Sequence, residues 1–264
     1  MKLEVNKLTG GYGAELVLDG VEFSVPSGAI VSLVGPNGCG KSTLLKLIGR
    51  VLRPRAGDIL LDGRSLSAFR GGDCARCLAM LPQHRHEPAG LSVGELVAYG
   101  RFPHRHALGL LNDDDRRIVD EVLAMTRLTA LRSRHLSTLS GGERQRAWIA
   151  MTLAQTPRLL LLDEPTSFLD ICCQFEIIEL IKELNARGGT TVLMVLHDLN
   201  LAAACSDQMI MMKERKVYCA GAPRNVLTVQ NLRAVFEIDA RVNYDDAGCP
   251  YCLAMGSARP RDRA

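Results

Sequence analysis

The feature of the sequence that most constrains its fold is a glycine-rich stretch between a predicted strand and a predicted helix. The stretch fits the pattern G-x-x-x-x-G-K-[ST], and apolar residues 29–34 precede it as a strand while residues 42–48 follow it as a helix. Glycines in the loop let backbone N–H groups approach phosphate oxygens, and the start of the helix favours anions. The lysine adds a cation, and the serine hydroxyl can ligate Mg²⁺. The predicted phosphate-binding residues are Gly35, Pro36, Asn37, Gly38, Cys39, Gly40, Lys41, Ser42 and Thr43.

The composition is that of an ordinary globular chain. Its 264 residues are 47% hydrophobic and 23% charged, and the net charge of +3 gives no ground to expect a nucleic-acid partner. No run approaches the roughly 18 consecutive apolar residues of a membrane span. The first six residues contain no apolar segment of an export signal. We therefore expect a cytoplasmic protein that contacts a membrane only through a partner.

The cysteines admit a metal-binding interpretation. Residues 74–77 and 249–252 both have C-x-x-C spacing, and Cys172 and Cys173 are adjacent. Cys-Pro-Tyr-Cys resembles the glutaredoxin active site, but it begins too close to the end of the chain for that fold. A zinc site made of both pairs would require them to meet in space. Reduced cytosolic thiols are the favoured interpretation.

The N-terminal part predicts antiparallel strands. Residues 3–5 and 21–25 alternate between apolar and polar, and residues 59–63 continue this β-rich portion. Tyr12 lies among glycines shortly before the phosphate loop, where its ring can stack on adenine; a turn tyrosine is the alternative. Gln83 ends a short predicted strand over residues 78–83 and offers an amide oxygen at the loop that follows.

Residues 84–157 are predominantly helical in pattern. Helices are predicted over 93–99 and 117–125, the second after an acidic N-cap region at residues 112–115. Two His-x-His pairs, at residues 84–86 and 104–106, have no other ligand at metal-binding spacing nearby. They are interpreted as solvated loop histidines.

Ser140, Gly141 and Gly142 open a further predicted helix. Ser140 is a good N-cap, and Glu143 three residues later completes a capping box. The alternative interpretation is functional, because a helix that starts with two bare glycines also suits a phosphate group.

Two apolar strands end in side chains that suit phosphate chemistry. Leu159–Leu162 is followed by Asp163, which can hold Mg²⁺ through water, and by Glu164, which can orient an attacking water molecule. Asp170 precedes an amphipathic helix that ends near Gly189. The strand over residues 191–196 ends at His197, at the carboxyl end where α/β sheets bind ligands.

Together these motifs resemble the ATP-binding cassette ATPases over nearly the whole chain. The resemblance implies ATP and Mg²⁺ as cofactors and a P-loop α/β fold, with a mostly parallel sheet, an N-terminal antiparallel β portion and an inserted helical subdomain. It identifies Tyr12 as the adenine-stacking residue, Gln83 as the Q-loop glutamine, Asp170 as the D-loop aspartate and His197 as the switch histidine. The catalytic residues are then Glu164 and His197, Mg²⁺ is held by Ser42, Gln83 and Asp163, and Ser140, Gly141 and Gly142 are signature residues that close over ATP bound to a second copy. Glu143 departs from the commoner glutamine.

The same resemblance implies a domain division. Residues 1–235 form one ATPase domain, with a catalytic core over 1–83 and 158–235 and a helical subdomain over 84–157. Residues 236–264 form a C-terminal extension, which we expect to be loosely ordered from Asp245 onward because it is rich in Gly, Pro and Arg.

Residues 99–104, 146–151 and 196–202 narrow the resemblance to the ATPases of bacterial iron–siderophore importers, a group shared with cobalamin and haem importers. It implies a homodimer on the cytoplasmic face of the cell membrane, bound to two permease subunits and served indirectly by a solute-binding protein. The open alternatives are a soluble iron–sulfur assembly cassette, a regulatory or DNA-associated cassette and an exporter cassette. The sequence does not identify the transported chelate.

Overall fold

The structure is a computed structural model that describes residues 1–83, 90–104 and 111–258. The strands within these residues are β1 Leu3–Tyr12, β2 Glu15–Val25, β3 Ile30–Val34, β4 Ala56–Leu61, β5 Arg64–Ser65, β6 Leu78–Leu81, β7 Leu159–Asp163, β8 Thr191–Val195, β9 Gln208–Lys213, β10 Lys216–Gly221, β11 Ile238–Tyr244 and β12 Pro250–Ser257. The α-helices are α1 Lys41–Ile48, α2 Gly71–Cys77, α3 Val93–Tyr99, α4 Asp113–Met125, α5 Gly141–Ala154, α6 Ile171–Gly188, α7 Leu199–Cys205, α8 Pro223–Val226 and α9 Val229–Phe236.

A six-stranded sheet in the order β10-β9-β3-β8-β7-β6 forms the centre of the molecule. Five of its strands are parallel, and β10 pairs antiparallel with β9. Every residue of β3, β7 and β8 is buried, as expected for parallel strands covered on both faces. The predicted P-loop α/β fold is confirmed, because the strand before the phosphate loop lies at the middle of this sheet.

The predicted antiparallel β portion forms a second sheet in the order β2-β1-β4-β5. One buried core lies between this sheet and the central sheet. It consists of the inward-facing side chains of the second sheet, the apolar side chains of α1 and those on one face of the central sheet. Alternating residues of the central strands, such as Leu193 and Met194 in β8, point to opposite cores. Thus α1, which begins at Lys41, is held firmly between two sheets.

The helical portion packs on the other face of the central sheet. Helices α3, α4 and α5 contact one another, and their apolar side chains join the second core. Each begins with a capping box, formed by Ser92 with Glu95, Asn112 with Asp115, and Ser140 with Glu143. The predicted helices of this region are confirmed; the domain boundaries assigned from the sequence stay a prediction.

The expectation of a loosely ordered tail from Asp245 is wrong for the described residues. Strands β11 and β12 form an antiparallel hairpin over residues 238–257. Its inward side chains pack against the second core, and Asn200 of α7 exchanges two hydrogen bonds with the backbone of Cys252, at 2.8 and 3.1 Å. The Gly- and Pro-rich segment around residue 248 forms the turn between β11 and β12.

The histidine pairs lie mostly outside the described residues, which include neither His84, His86 nor His106. His104 is half-buried in a short 3₁₀ helix, and its Nε2 lies 2.9 Å from the Gln155 carbonyl oxygen. For this residue, the expectation of a solvated loop histidine is wrong, because the ring is held against the helical portion.

The two C-x-x-C pairs lie against different cores. Cys74 and Cys77 belong to α2 and pack against the core around α1, whereas Cys249 and Cys252 pack against the opposite core. In the three described ranges, the structure contains no group of three or more metal-binding side chains. The same ranges contain no helix long and apolar enough to cross a membrane.

A buried ion pair joins the helices of the helical portion. Arg101 Nε donates to Asp115 Oδ1 at 2.8 Å, and both side chains are less than one-tenth exposed. Arg101 also donates to the carbonyl oxygen of Ala154 at 2.7 Å, at the end of α5. Burial alone would raise the pKa of Asp115, but the bond from Arg101 and the backbone N–H of Asn112 hold it below its ordinary value.

We predict that Asp115→Ala lowers the free energy of unfolding by about 3–5 kcal/mol, because it leaves a buried arginine unpaired. The matched control is Asp114→Ala on the same helical turn, whose exposed partner Arg117 stays solvated; its cost should stay below about 1 kcal/mol. Urea unfolding followed by circular dichroism measures both. Equal costs for the two variants would contradict this account of the helical portion.

Candidate active site

The glycine-rich loop connects the end of β3 to the start of α1. Gly38 and Gly40 have φ of 77° and 105°, in the left-handed region that favours glycine. A Cβ on Gly40 would lie 2.5 Å from Leu18 Cδ2, so the close approach of β2 also requires glycine there. The loop therefore keeps the conformation in which its N–H groups can face an anion.

Lys41 is the first residue of α1 and is 6% exposed. Its Nζ donates to the carbonyl oxygens of Gly35 and Pro36 at 2.8 and 2.9 Å. The amino group is thus held over the loop by carbonyls that a phosphate group can replace as partners.

A cavity of about 390 Å³ opens beside the loop. Tyr12 borders it, and Lys46 Nζ lies 3.1 Å from the tyrosine hydroxyl and 5.5 Å from its ring centre. Gln83 and Glu164 also line this cavity. The residues that line the cavity are Tyr12, Glu15, Val17, Asn37, Gly38, Gly40, Lys41, Ser42, Thr43, Gln83 and Glu164.

Ser42 and Asp163 bring two oxygen ligands together at this cavity. Ser42 Oγ donates to Asp163 Oδ1 at 2.9 Å, across from α1 to the end of β7. Asp163 is 1% exposed, and burial raises the pKa of its carboxyl group, an effect that the Ser42 bond only partly offsets. A buried carboxylate and a hydroxyl at this distance are the hard oxygen donors that Mg²⁺ binds.

Glu164 receives three side-chain donors. Its carboxylate lies 2.5 Å from His197 Nε2, 2.7 Å from Gln83 Nε2 and 2.9 Å from Ser167 Oγ. Burial alone would raise the pKa of Glu164, but the bonds from His197, Ser167 and Gln83 outweigh it and lower the pKa below its ordinary value. The Glu164 backbone has φ of 53°, a strained conformation that the surrounding contacts maintain. The arrangement can hold an ionised carboxylate ready to accept a proton.

The remaining predicted residues lie elsewhere. Ser140 caps α5 and Asp170 caps α6, where its Oδ1 accepts from the Cys173 N–H at 2.9 Å. Gly141 lines a second cavity of about 320 Å³, which also touches Gln83 and Glu164. Neither Ser140, Gly142 nor Asp170 lines the cavity at the loop. One copy therefore brings the loop, Gln83, Asp163, Glu164 and His197 together but leaves the signature residues outside.

Two contributors to this site are not predicted from the sequence. Ser167 donates to Glu164, and its only signal was a hydroxyl three residues after a strand-end carboxylate. Lys46, five residues after the loop lysine, contacts Tyr12. The available signal was a second cation close to the phosphate loop.

Comparison with known proteins agrees with this geometry. The ABC transporter family matches residues 18–167. The chain is similar to the iron(3+)-hydroxamate import ATP-binding protein FhuC of Bacillus subtilis, with 46% identity over 252 residues that cover 95% of this chain and 94% of that protein. It is also similar to the ferric enterobactin transport ATP-binding protein FepC of Escherichia coli, with 38% identity over 260 residues, 98% of this chain and 96% of that protein.

Solved structures give the same relationship. A metal-chelate type ABC transporter in an inward-facing conformation matches with a TM-score of 0.82 and 29% identity, over 96% of this chain and 97% of that one. A dimeric ATP-binding cassette in a post-hydrolysis state with ADP and Pi matches with a TM-score of 0.73 and 29% identity, over 84% of this chain and 99% of that one. With the family match over more than half of its length and relatives this similar over almost all of it, the chain belongs to the ABC transporter family and is an ATPase of the ABC type.

Proposed function

We propose that this chain is the ATP-hydrolysing subunit of an importer and that it powers uptake of a ferric siderophore across the cytoplasmic membrane. The observation that supports the ATP-hydrolysing role is the position of the Glu164 carboxylate, which accepts hydrogen bonds from three side chains beside the glycine-rich loop. The similar proteins FhuC and FepC serve iron(3+)-hydroxamate import and ferric enterobactin transport, which supports a ferric siderophore as the cargo of this chain. Cobalamin is the second candidate, because a cobalamin import ATP-binding protein of Halobacterium salinarum is 37% identical over 247 residues, 94% of this chain and 62% of that protein.

ATP binds in the cavity beside the loop. Adenine stacks on the half-exposed Tyr12 ring, and the phosphates lie along the loop, whose N–H groups face them. Lys41 exchanges its two carbonyl partners for phosphate oxygens, so its charge is neutralised only when nucleotide is present.

Ser42 and Asp163 would hold Mg²⁺, with Gln83 as a third oxygen donor. The buried carboxylate of Asp163 fits this role, since a cation compensates the cost of keeping it ionised away from water. When bound, the ion neutralises charge on the β- and γ-phosphates.

Glu164 is the general base for the attacking water. Its lowered pKa keeps the carboxylate ionised. The proton of the water passes to a Glu164 oxygen as the water oxygen bonds to the γ-phosphorus and the bond from that phosphorus to the bridging oxygen breaks, so that ADP leaves. His197, at the end of the neighbouring strand β8, contacts the γ-phosphate. Gln83 and Ser167 fix the orientation of the base through their bonds to its second oxygen.

The signature residues act on the nucleotide of a second copy. Ser140 and Gly141 are exposed at the start of α5, outside the cavity of their own loop. In a head-to-tail homodimer, these residues and Gly142 of one copy close over ATP bound to the other, and Asp170 lies at the junction. Each nucleotide is then enclosed by a loop lysine from one subunit and a helix N-terminus from its partner.

The helical portion faces the membrane partner. Gln83 lies two residues after β6, and Tyr99 and Phe102 expose apolar surface on the helical portion, with 49% and 71% of each residue accessible. We assign this side to the two permease subunits, on the cytoplasmic face of the membrane. The solute-binding protein then acts only through the permease.

We predict that Glu164→Gln lowers ATP turnover by about 10²–10⁴-fold, because it removes the general base. Nucleotide binding should persist, since the loop and Lys41 are unchanged. Phosphate release at saturating ATP and binding of a fluorescent ATP analogue measure the two effects. Glu22→Gln, on the exposed side of β2, is the matched control and should leave both unchanged. Near wild-type turnover of Glu164→Gln, with none for Lys41→Ala, would show that the assigned base is wrong.

Two inactive variants should restore each other when mixed. Lys41→Ala disables the loop and Ser140→Arg disables the signature, so a mixed dimer keeps one complete site. When equal amounts of the two variants pair at random, about half of the dimers are mixed, and each mixed dimer has one complete site of two. The mixture should therefore recover about a quarter of wild-type ATPase activity. Activity is measured after co-refolding or co-expression, with each variant alone as the control. No recovery, although mixed dimers form, would mean that the signature serves its own loop.

Deletion of this chain from its source strain should abolish uptake of radiolabelled ferric hydroxamate. Wild-type protein supplied on a plasmid should restore uptake, and Lys41→Ala at equal abundance should not. Haem and labelled cobalamin are measured in parallel. Unchanged siderophore uptake, with loss confined to cobalamin or haem, would contradict the proposed cargo.

A further inference from the structure

The helix that begins with the signature residues lies against the helix that begins after Asp170. Gly142, in the first turn of α5, is buried, and a Cβ on it would lie 2.7 Å from Cys173 Sγ in the first turn of α6. The backbone N–H of Cys173 in turn donates to Asp170 Oδ1 at 2.9 Å. Glycine at position 142 therefore allows the starts of the two helices to touch.

An ion pair joins the same two helices one turn further along. Arg146 Nη1 donates to Glu176 Oε2 at 2.8 Å, and the two side chains are 19% and 34% exposed. Because Arg146 comes four residues after Gly142, and Glu176 three after Cys173, both contacts lie on the facing sides of α5 and α6. Two contacts one turn apart restrain the rotation of α5 about its axis as well as its distance from α6.

The guanidinium of Arg146 depends on Glu176 for this contact. Its Nε is buried, and no acceptor within residues 1–83, 90–104 and 111–258 meets that atom. The carboxylate has a second cation, since Arg127 Nη1 lies 3.9 Å from Glu176 Oε1 on a side chain that is 78% exposed. Arg127 lies two residues after α4 and outside α5. Removal of Arg146 would thus leave Glu176 with a partly solvated counter-charge.

The neighbouring residue holds α5 toward the base. Gln145 donates to the carbonyl oxygen of Pro165, the residue after Glu164. Gln145 therefore connects α5 to the loop that carries the base, whereas Arg146 connects it to the helix that begins after Asp170.

We propose that Arg146 and Glu176 are positioning residues that hold the signature residues of one copy in the orientation needed to contact ATP bound to the second copy. This role rests on the proposed function, in which each nucleotide lies between two copies. Neither side chain lines the cavity at the loop, so both act through the start of α5. N–H groups at a helix start bind a phosphate oxygen only within hydrogen-bonding distance, so a small rotation of α5 weakens the contact.

Arg146→Met removes the ion pair and keeps a long, unbranched side chain. ATP turnover should fall by about 10–100-fold, because a displacement of about 1 Å near the reacting groups can cost this much. Binding of a fluorescent ATP analogue should be unchanged, since the loop of the same copy is intact. The midpoint of thermal unfolding should fall by no more than about 4 °C, because the pair is partly exposed.

The matched control is Arg127→Met, which removes the other arginine from the same carboxylate. It should retain wild-type turnover, because Arg127 does not hold α5. Equal losses of turnover in the two variants would overturn the proposal, and so would wild-type turnover or loss of analogue binding in Arg146→Met.

Mixed dimers test whether Arg146 acts through the signature of its own copy. In a dimer of Arg146→Met with Lys41→Ala, one site combines the intact loop of the first copy with the intact signature of the second. Random pairing of equal amounts should therefore recover about a quarter of wild-type ATPase activity. If Arg146 served the loop of its own copy, the remaining loop would be impaired and recovery would stay at about a twentieth or less. That result would overturn the proposal.

Two further mixtures separate this role from the proposed function. Arg146→Met mixed with Ser140→Arg, which places both changes in the signature, should not recover, and recovery there would contradict the positioning role. If Lys41→Ala with Ser140→Arg recovers activity but Lys41→Ala with Arg146→Met does not, the two-copy site stands and the role of Arg146 is overturned. If neither mixture recovers, although mixed dimers form, the two-copy site itself is wrong.

Discussion

The structure depends on one constraint, the need to hold the carboxylate of Glu164 ionised at the edge of a buried sheet. Three side chains from three segments donate hydrogen bonds to this carboxylate. They are Gln83 after β6, Ser167 in the loop after β7 and His197 after β8. Because these strands are parallel neighbours of β7, their ends lie at one edge of the sheet. The site thus exists only when the central sheet has its observed order, which couples the fold directly to the chemistry.

Asp163, the residue before Glu164, has a carboxylate whose environment shifts its pKa in the opposite direction. Asp163 is more deeply buried than Glu164, has Ser42 as its hydrogen-bond donor, and has a raised pKa, whereas that of Glu164 is lowered. Two adjacent acids in different surroundings suit two roles, one as a cation ligand and one as a base. The positive φ of Glu164 allows this divergence, since it turns the backbone between the two side chains.

Much of this could be predicted from the sequence, because the strongest patterns are local. The apolar runs of β3, β7 and β8 predict buried strands, and the capping box of Ser140 and Glu143 predicts the start of α5. The contact of Ser167 with Glu164 depends on a strained loop, which no periodicity reveals. The hairpin after Phe236 was not predicted, although Ile238, Ala240 and Val242 alternate with polar residues along β11, because β12 is mostly exposed and the turn contains Gly248. The inward side chains pack on the second core, and the two bonds between Asn200 of α7 and Cys252 also stabilise the hairpin. The pairing of Arg101 with Asp115 likewise joins segments that only the tertiary fold brings together.

An infrared titration of Glu164 tests the central claim most directly. The difference spectrum between the wild type and Glu164→Gln, both with ¹³C-labelled glutamate and glutamine, isolates this carboxyl group from the others. Since the three donors stabilise its ionised form, Glu164 should remain mostly carboxylate at about pH 4.3, where a free glutamate is half protonated. A protonated carboxyl band that predominates at or above this pH would contradict the account, because the donors would then not hold the base in its ionised form.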